Sequence, residues 1–482
     1  MNKMKTLPLS IMTGLILSGC STLETVGDTV SGLNPFGGGG DSQGESYDDP
    51  SRISILELAE TLEVSGKLQP SDVVLPDPLL SNDWAQVGGN TTHALQRLSS
   101  DGDLDKAWSK TIGKGSSSKG RIVAPPVIQG DRLYVMDAEN QVQALSAENG
   151  SRIWKYKLEI DDTGKTRVGN RSLLERVKDP LSFRDEGGVD KSGVGGGVAV
   201  VGNVVYVTSG LGIVEALDAG TGESLWRQEL RVPLHSAPTV QDGRVFAISD
   251  DNELFSFDAE TGATQWTYSA IVETARMLTL PAPAVVDDVV IAPFSSGELV
   301  ALRVQNGGVL WQDALQSGGR LTPLASLNDI AAGPVVADGF VIASAQSGVM
   351  NAFDLRTGQR IWSQPAGTLS FPWVAGDFVY AATTNGEIIC MSKLNGELVW
   401  LTQLENFKND KKRENKIAWS GPVLIDDKLI VFSSKGVGME LNPFDGSVLR
   451  EFKTGNDIFV APVFANGTLY VVSDGAKLTA YR

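Results

Sequence analysis

Residues Ala216–Trp226 have the sequence ALDAGTGESLW, and two other stretches repeat it closely: SFDAETGATQW at Ser256–Trp266 and AFDLRTGQRIW at Ala352–Trp362. In each copy an apolar segment ends in Asp, a Thr-Gly pair follows, and a tryptophan comes four residues after the glycine. A short glycine-containing turn between two strand-like segments is typical of a β-hairpin. The three copies therefore predict three equivalent hairpins.

Weaker copies extend this repeat over most of the chain. The repeat glycines are Gly150, Gly222, Gly262, Gly307, Gly358, Gly396 and Gly446. Except for one step of 72 residues, successive glycines lie 38 to 51 residues apart. A period of about 40 to 50 residues is typical of a four-stranded propeller blade. The last copy has Arg450 where the others have tryptophan.

A strand followed by a turn rich in Gly, Asn and Asp recurs eight times, and it predicts the innermost strand and first turn of each blade. The eight copies are Pro126–Asp131, Val200–Asn203, Ala237–Gly243, Pro283–Asp288, Pro334–Gly339, Pro372–Asp377, Pro422–Asp427 and Pro462–Gly467.

The eighth copy ends at Leu478–Arg482, after its third strand, whereas Asp105–Lys110 is a single strand that carries Trp108. Pairing these two segments closes the ring and removes its free edges. The sequence thus predicts an all-β fold, an eight-bladed β-propeller of four-stranded antiparallel blades whose last blade is closed by the N-terminal strand.

The repeat resembles the tryptophan-docking repeat of quinoprotein-type propellers. This resemblance implies that the repeat tryptophans pack between neighbouring blades, and we interpret them as blade-to-blade core rather than as a substrate cage. The predicted docking residues are Trp108, Trp154, Trp226, Trp266, Trp311, Trp362 and Trp400.

The N-terminus has the features of a sorting signal. Two lysines precede the mostly apolar stretch Leu7–Gly19, which is shorter than the roughly 20 residues that a membrane-spanning helix needs. The stretch ends in Leu-Ser-Gly-Cys, which resembles the lipobox of bacterial lipoproteins. That resemblance implies cleavage before Cys20 and acylation of Cys20, and Ser21 indicates the outer membrane; the alternative is an ordinary secretory peptide. We therefore predict a signal peptide at 1–19, a flexible lipid-anchored tether at 20–82 and the propeller at 83–482.

Composition excludes several functions. The chain has 41 Lys+Arg and 58 Asp+Glu, a formal charge of −17, whereas nucleic-acid binding needs a basic surface. With two His and two Cys, neither a Cys/His zinc site nor a disulfide framework is expected.

No catalytic motif emerges from the repeats. By resemblance, a quinone-dependent dehydrogenase of this class carries an adjacent Cys-Cys pair, a catalytic Asp and a calcium site. The mature chain would have only Cys20, which is acylated, and the isolated Cys390, so the adjacent pair cannot exist. His93 and His235 are interpreted as solvated loop residues. The glycine-rich stretches Gly113–Ser116 and Gly193–Gly197 do not fit nucleotide-binding loops. We predict no catalytic residues, no cofactor and no metal; a periplasmic quinone-dependent oxidoreductase stays the alternative, and a sugar- or cell-wall-binding propeller has no positive evidence.

Loop lengths indicate a functional face. The Thr-Gly turns join third and fourth strands on one face, so the connectors to the next blade leave from the opposite face. The long segments are all connectors, and such loops on a rigid scaffold often carry function. They are 159–192, 230–235, 269–280, 313–331 and 403–417.

Lipobox, tether and propeller together resemble the outer-membrane protein assembly factor BamB family. The resemblance implies a non-enzymatic lipoprotein at the periplasmic face of the outer membrane, docked on the periplasmic repeat domains of the central β-barrel insertase and in contact with unfolded outer-membrane proteins. Family members bind the insertase through Leu-x-Leu-Arg and Asp-x-Asp loops. Here Leu230 and Val232 match the apolar positions of the first loop, Pro233 replaces its Arg, and Arg231 supplies the charge from two residues earlier. Asp329 matches the first Asp of the second loop, and Ala331 replaces the second.

Overall fold

The computed structural model describes residues 61–100, 102–118, 120–160, 193–273, 281–315 and 328–482. The chain divides into two units, Met1–Ser54 and Ile55–Arg482, and every described residue lies in the second. The predicted signal peptide, Cys20 and most of the predicted tether fall outside the described residues. Within the described ranges, no helix is long and apolar enough to span a membrane.

Eight four-stranded antiparallel sheets follow one another along the chain. The first strands of successive sheets contact one another, so they line the centre of a ring, and the fourth strands lie at its periphery. The predicted eight-bladed propeller is confirmed.

The strand bounds follow the predicted period. The N-terminal strand is β1 (Lys106–Thr111). Blade 1 comprises β2 (Val127–Gln129), β3 (Arg132–Met136), β4 (Gln141–Ser146) and β5 (Arg152–Lys157). Blade 2 comprises β6 (Val198–Val201), β7 (Val204–Ser209), β8 (Ile213–Asp218) and β9 (Ser224–Glu229). Blade 3 comprises β10 (Thr239–Gln241), β11 (Arg244–Ile248), β12 (Glu253–Asp258) and β13 (Thr264–Ser269). Blade 4 comprises β14 (Ala284–Val286), β15 (Val289–Pro293), β16 (Glu298–Arg303) and β17 (Val309–Ala314). Blade 5 comprises β18 (Val335–Ala337), β19 (Phe340–Ala345), β20 (Val349–Asp354) and β21 (Arg360–Gln364). Blade 6 comprises β22 (Trp373–Ala375), β23 (Phe378–Ala382), β24 (Glu387–Ser392) and β25 (Leu398–Gln403). A separate hairpin, β26 (Phe407–Asn409) and β27 (Glu414–Lys416), precedes blade 7, which comprises β28 (Trp419–Ile425), β29 (Lys428–Ser433), β30 (Val437–Leu441) and β31 (Val448–Lys453). Blade 8 comprises β32 (Val463–Ala465), β33 (Thr468–Val472), β34 (Lys477–Tyr481) and β1.

Blade 8 joins the two ends of the propeller. Strand β1 pairs antiparallel with β34, from Lys106 opposite Tyr481 to Thr111 opposite Lys477. Asp105 and Arg482 extend the pairing, because each backbone N–H donates to the carbonyl oxygen of the other. The predicted closure by the N-terminal strand is therefore confirmed.

The turn residues explain why each blade folds locally. In blade 3, Asp242 and Gly243 have φ values of 49° and 73°, the left-handed conformation that a tight two-residue hairpin requires and that Asp and Gly tolerate. The inner strands are buried on both faces, whereas the peripheral strand β13 alternates exposed and half-buried residues. The hydrophobic core thus lies between neighbouring blades.

Residues Ser81–Leu98, which we call the strap, cross the central end of the ring and contact every blade. The hydrogen bonds run from Asn466 N to Ser81 O in blade 8, Trp84 N to Ile128 O in blade 1, Val200 N to Ala85 O in blade 2, Val240 N to Gln86 Oε1 in blade 3, Val285 N to Thr91 O in blade 4, Val336 N to Thr92 O in blade 5, Gly376 N to Gln96 Oε1 in blade 6, and Leu98 N to Leu424 O in blade 7.

All these contacts lie within an innermost strand or beside its carboxyl end, next to the first turn of the blade. Because strands within a blade are antiparallel, this end carries the first and third turns, which we call the turn face. The connectors between blades lie at the opposite end, the connector face.

The predicted boundary between tether and propeller at residue 82 lies too late in the chain. Leu62 already packs against the core between blades 5 and 6, Lys67 forms a 2.6 Å salt bridge with Glu397, and Val73 is 5% exposed. Apolar side chains spaced along 61–82 give this segment a surface to bury against the blades, so it is not a free tether.

Candidate functional site

Each docking tryptophan covers the repeat glycine of the next blade. A Cβ atom added to Gly222, whose φ is +77°, would lie 2.7 Å from the indole of Trp154, and Trp154 Nε1 donates to Ala219 O at 3.0 Å. Only a residue without a Cβ lets the ring lie against the turn. The contacting pairs are Trp108–Gly150, Trp154–Gly222, Trp226–Gly262, Trp266–Gly307, Trp311–Gly358, Trp362–Gly396 and Trp400–Gly446.

The junction between blades 7 and 8 differs. Blade 8 has no covalent turn between its third and fourth strands, because these come from opposite ends of the chain. No repeat glycine is therefore present for a tryptophan to cover. Arg450 takes the tryptophan position and hydrogen-bonds Glu440 of its own blade through Nε at 3.0 Å.

Side chains of the strap fill the propeller axis. Val87 is 3% exposed and packs with Ala124, Ala237 and Ala282 from three blades. The ring of His93 meets Phe371 edge-on, with centroids 4.8 Å apart. Beside them, Trp84, Trp373 and prolines of blades 1, 7 and 8 line an apolar cavity of about 40 Å³.

These residues do not fit a quinone cofactor. Small-molecule sites typically have about 300 to 1,000 Å³ and several convergent polar groups, whereas the axial cavity is small and apolar. Cys390 is a buried free thiol whose pKa is raised by that burial. Among the described residues, no group of three or more His, Cys, Asp and Glu side chains is placed to hold a metal ion.

The interpretation of both histidines as solvated is wrong. His93 is 4% exposed, its Nδ1 lies 2.7 Å from Pro334 O, and burial lowers its pKa to about 4. Because a carbonyl only accepts, Nδ1 carries the proton of the neutral ring. His235 is also buried, with Nδ1 3.2 Å from Asp250 Oδ1. His93 is buried by a contact between distant segments, whereas His235 is buried beside Asp250, which lies 250 − 235 = 15 residues further along the chain.

The predicted partner-binding residues lie on two separate connectors. Leu230, Arg231 and Val232 link blades 2 and 3, and Asp329 lies between blades 4 and 5. Arg231 is exposed, whereas Leu230 and Val232 are half-buried against the core shared by blades 2 and 3. Asp329 is 3% exposed. The structure thus offers one fully exposed side chain of the four.

The connector between these two carries a pair that the sequence interpretation missed. Ile271 and Val272 are 62% and 61% exposed. The backbone of Ile271 is held in place, because Ile271 N donates to Glu298 Oε2 at 2.8 Å and Asn252 Nδ2 donates to Ile271 O at 2.6 Å. The sequence feature that could have indicated this pair is an Ile-Val dipeptide separated by one residue from the end of the fourth strand β13.

The described chain is therefore an eight-bladed propeller of the tryptophan-docking class, with an axis filled by its own strap and an exposed apolar pair on its connector face. The sequence model of the family described as outer membrane protein assembly factor BamB matches residues 105–188 and 166–402. The chain belongs to this family, as the sequence predicted.

Individual relatives agree. The chain is 26% identical over 392 residues to the outer membrane protein assembly factor BamB of Yersinia pestis, covering 81% of this chain and 92% of that protein. It is 26% identical over 378 residues to the outer membrane protein assembly factor BamB of Escherichia coli, covering 78% of this chain and 88% of that protein.

Solved structures show the same fold. BamB from Moraxella catarrhalis superposes with a TM-score of 0.63 at 20% identity, covering 79% of this chain and 100% of that one. A quinohemoprotein alcohol dehydrogenase from Comamonas testosteroni gives a TM-score of 0.61 at 14% identity, covering 86% of this chain and 82% of that one. At such identity the dehydrogenase shares the architecture and nothing more specific.

Proposed function

We propose that this protein is a non-enzymatic scaffold in outer membrane protein assembly, the process for which its relatives are named. Its connector face docks on the periplasmic repeat domains of the central β-barrel insertase. The observation that carries the proposal is the exposed pair Ile271–Val272, in which the backbone of Ile271 is hydrogen-bonded to two other side chains.

Protein interfaces draw most of their binding energy from a few apolar or aromatic anchors within a polar rim. Ile271 and Val272 supply exposed apolar surface for such a contact, and Ile271 loses little conformational freedom on binding because its backbone is already hydrogen-bonded. Leu230 and Val232 add half-exposed apolar surface, and Arg231 supplies an exposed charge. Asp329, being buried, shapes its connector from within.

The anchor to the membrane is the acylated Cys20, placed on the periplasmic face of the outer membrane. Between Cys20 and Leu62 lie 62 − 20 = 42 residue steps, and a fully extended chain of that length spans up to about 140–150 Å. A Cys20→Ser variant should be released from the membrane fraction by a urea wash that leaves wild type in place, because without acyl chains only the docking contact holds it there; retention after that wash would contradict the anchor.

The docking experiment uses the full-length protein in its own membrane. The double variant Ile271→Asp, Val272→Asp should co-purify with the insertase at least about tenfold less efficiently, because it places charge in an apolar contact. The matched control Val448→Asp, Leu449→Asp alters a similarly exposed pair, 50% and 52%, on the peripheral strand of blade 7. A combined change of Leu230, Arg231 and Asp329 tests the flanking connectors. Undiminished co-purification of the first variant would refute the docking face.

The rival function is a quinone-dependent oxidoreductase. A bound quinone absorbs visible or near-ultraviolet light, so a spectrum of the purified protein separates the two functions. If the protein is a scaffold, we expect its spectrum to show protein absorbance alone.

A further inference from the structure

The hairpin β26–β27 stands apart from the blades. Its strands pair with each other, from Phe407 opposite Lys416 to Asn409 opposite Glu414, and with no blade. The hairpin occupies the connector between blades 6 and 7, so it lies on the connector face. It is a separate insertion in a fold otherwise built from four-stranded sheets.

Its charge is opposite to that of the chain. The hairpin carries Lys408, Lys411, Lys412, Arg413 and Lys416 against Asp410 and Glu414, which gives 5 − 2 = +3, while the whole chain is −17. Residues 410–416 are all exposed. The ammonium groups of Lys408, Lys411 and Lys412 make no ion pair within the described ranges. Unpaired charge of one sign on an exposed element attracts partners of the other sign.

The base of the hairpin is fixed. Ile417 N donates to Asn406 O at 2.8 Å, and Trp419 Nε1 donates to Glu405 O at 2.9 Å. Ile417 is 3% exposed, and Lys435 pairs with Glu405. The basic tip is thus presented by a rigid stem rather than by a loose loop.

We propose that the hairpin β26–β27 is a docking site for an acidic, extended segment of a protein partner. Both outer edges of this two-stranded sheet are free in the described chain, so a partner strand can add to one of them by backbone hydrogen bonds. The lysines then contact its carboxylates. A cleft beside the hairpin, lined by Leu404, Phe407 and Arg413 among others, receives an apolar side chain. This contact is separate from that proposed for Ile271 and Val272.

A lipid surface fits the hairpin less well than a protein does. Segments that bind membrane interfaces insert apolar side chains beneath the headgroups, and no apolar residue occurs from Lys408 to Lys416.

The test uses the full chain and two charge-matched variants. The hairpin variant is Lys408→Glu, Lys411→Glu, Lys412→Glu; the control is Arg152→Glu, Lys155→Glu, Lys453→Glu on peripheral strands. Each changes the net charge from −17 to −17 − 6 = −23. The probe is a fluorescent octaglutamate peptide at low ionic strength. We expect about tenfold or greater weakening in the hairpin variant and less than about twofold in the control. Equal weakening in both would overturn the proposal.

A second measurement identifies the partner in cells. The variant Lys411→p-benzoylphenylalanine is irradiated in vivo, and we expect an adduct at an Asp- or Glu-rich segment of a partner protein. This adduct should be lost when Lys408 and Lys412 are also changed to Glu. Adducts confined to lipid or to a second copy of this chain would refute the proposal. So would hairpin-dependent co-sedimentation with phosphatidylglycerol vesicles in the absence of a protein adduct. Unchanged melting of each variant shows that the propeller stays folded.

Discussion

The indole of Trp154 lies against Gly222 of the next blade while its Nε1 donates to Ala219 O at 3.0 Å, in the same turn. The tryptophan and the glycine of one repeat motif therefore serve two different junctions. The glycine receives the ring of the preceding blade, and the tryptophan covers the glycine of the following blade. The motif thus encodes a contact between repeats rather than a contact within one.

Replacing Trp154 by alanine should strongly destabilise the junction between blades 1 and 2. The side chain is 8% exposed, and truncation of a buried tryptophan costs about 3 to 5 kcal/mol. Urea unfolding measures the change. Trp154→Phe, which keeps an aromatic ring but loses the Nε1 donor, should cost less; an unchanged midpoint for Trp154→Ala would argue against the docking contact.

Two glycine substitutions separate backbone strain from docking. Gly222 and Gly243 have nearly equal φ values, +77° and +73°, but an added Cβ meets Trp154 at Gly222 and nothing within 4 Å at Gly243. Gly243→Ala should cost about 1 to 2 kcal/mol from the left-handed conformation alone. Gly222→Ala should cost clearly more, because the ring must also move. Equal unfolding free energies for the two variants would show that the tryptophan adapts freely.

His93 should make stability fall as the pH is lowered. Its pKa is about 4 in the folded chain and 6.5 in a free side chain, so between those values the unfolded state binds a proton that the native state does not. Each pH unit in this window costs about 1.4 kcal/mol. From pH 7 to pH 5, wild type should lose about 2 kcal/mol more than His93→Gln, measured by urea unfolding at both values. Parallel losses would mean that His93 is protonated in the native state.

Gln86 should stabilise blade 3, because it accepts the hydrogen bond of a backbone N–H in the innermost strand of that blade. Its Oε1 accepts from Val240 N at 2.9 Å, and the side chain is 5% exposed. Gln86→Met keeps the size but leaves a buried N–H without an acceptor, which costs about 1 to 3 kcal/mol. Hydrogen exchange of the Val240 amide should also accelerate. The control Gln129→Met lies in a half-buried position of blade 1 and should change stability by less than about 0.5 kcal/mol.

The repeat was predictable because each blade is built from local signals. Asp242-Gly243 specifies a hairpin through its own backbone preferences, and the spacing from Gly222 to Trp226 recurs in each of blades 1 to 6. The closing strand β1 was predictable because Trp108 stands alone before the first complete blade.

The candidate site was less predictable, since it depends on exposure. Leu230 and Val232 match an apolar pattern, yet the side chains pack against their own blades. Ile271 and Val272 follow β13 with no motif around them, and only the folded connector shows that they face solvent. Apolar residues in a connector have no periodicity from which burial can be inferred.

By itself, the sequence determined the number of blades and their strand order, because these follow from turns and spacings within each repeat. It also determined the closure of the ring, because one strand at the start and a missing strand at the end complement each other. Only the tertiary structure decided the course of the strap and the burial of His93. Gln86 meets Val240 across 154 residues of sequence and His93 meets Pro334 across 241. Such contacts require eight innermost strands to present their backbone groups around one axis, and no local preference of Ser81–Leu98 specifies them.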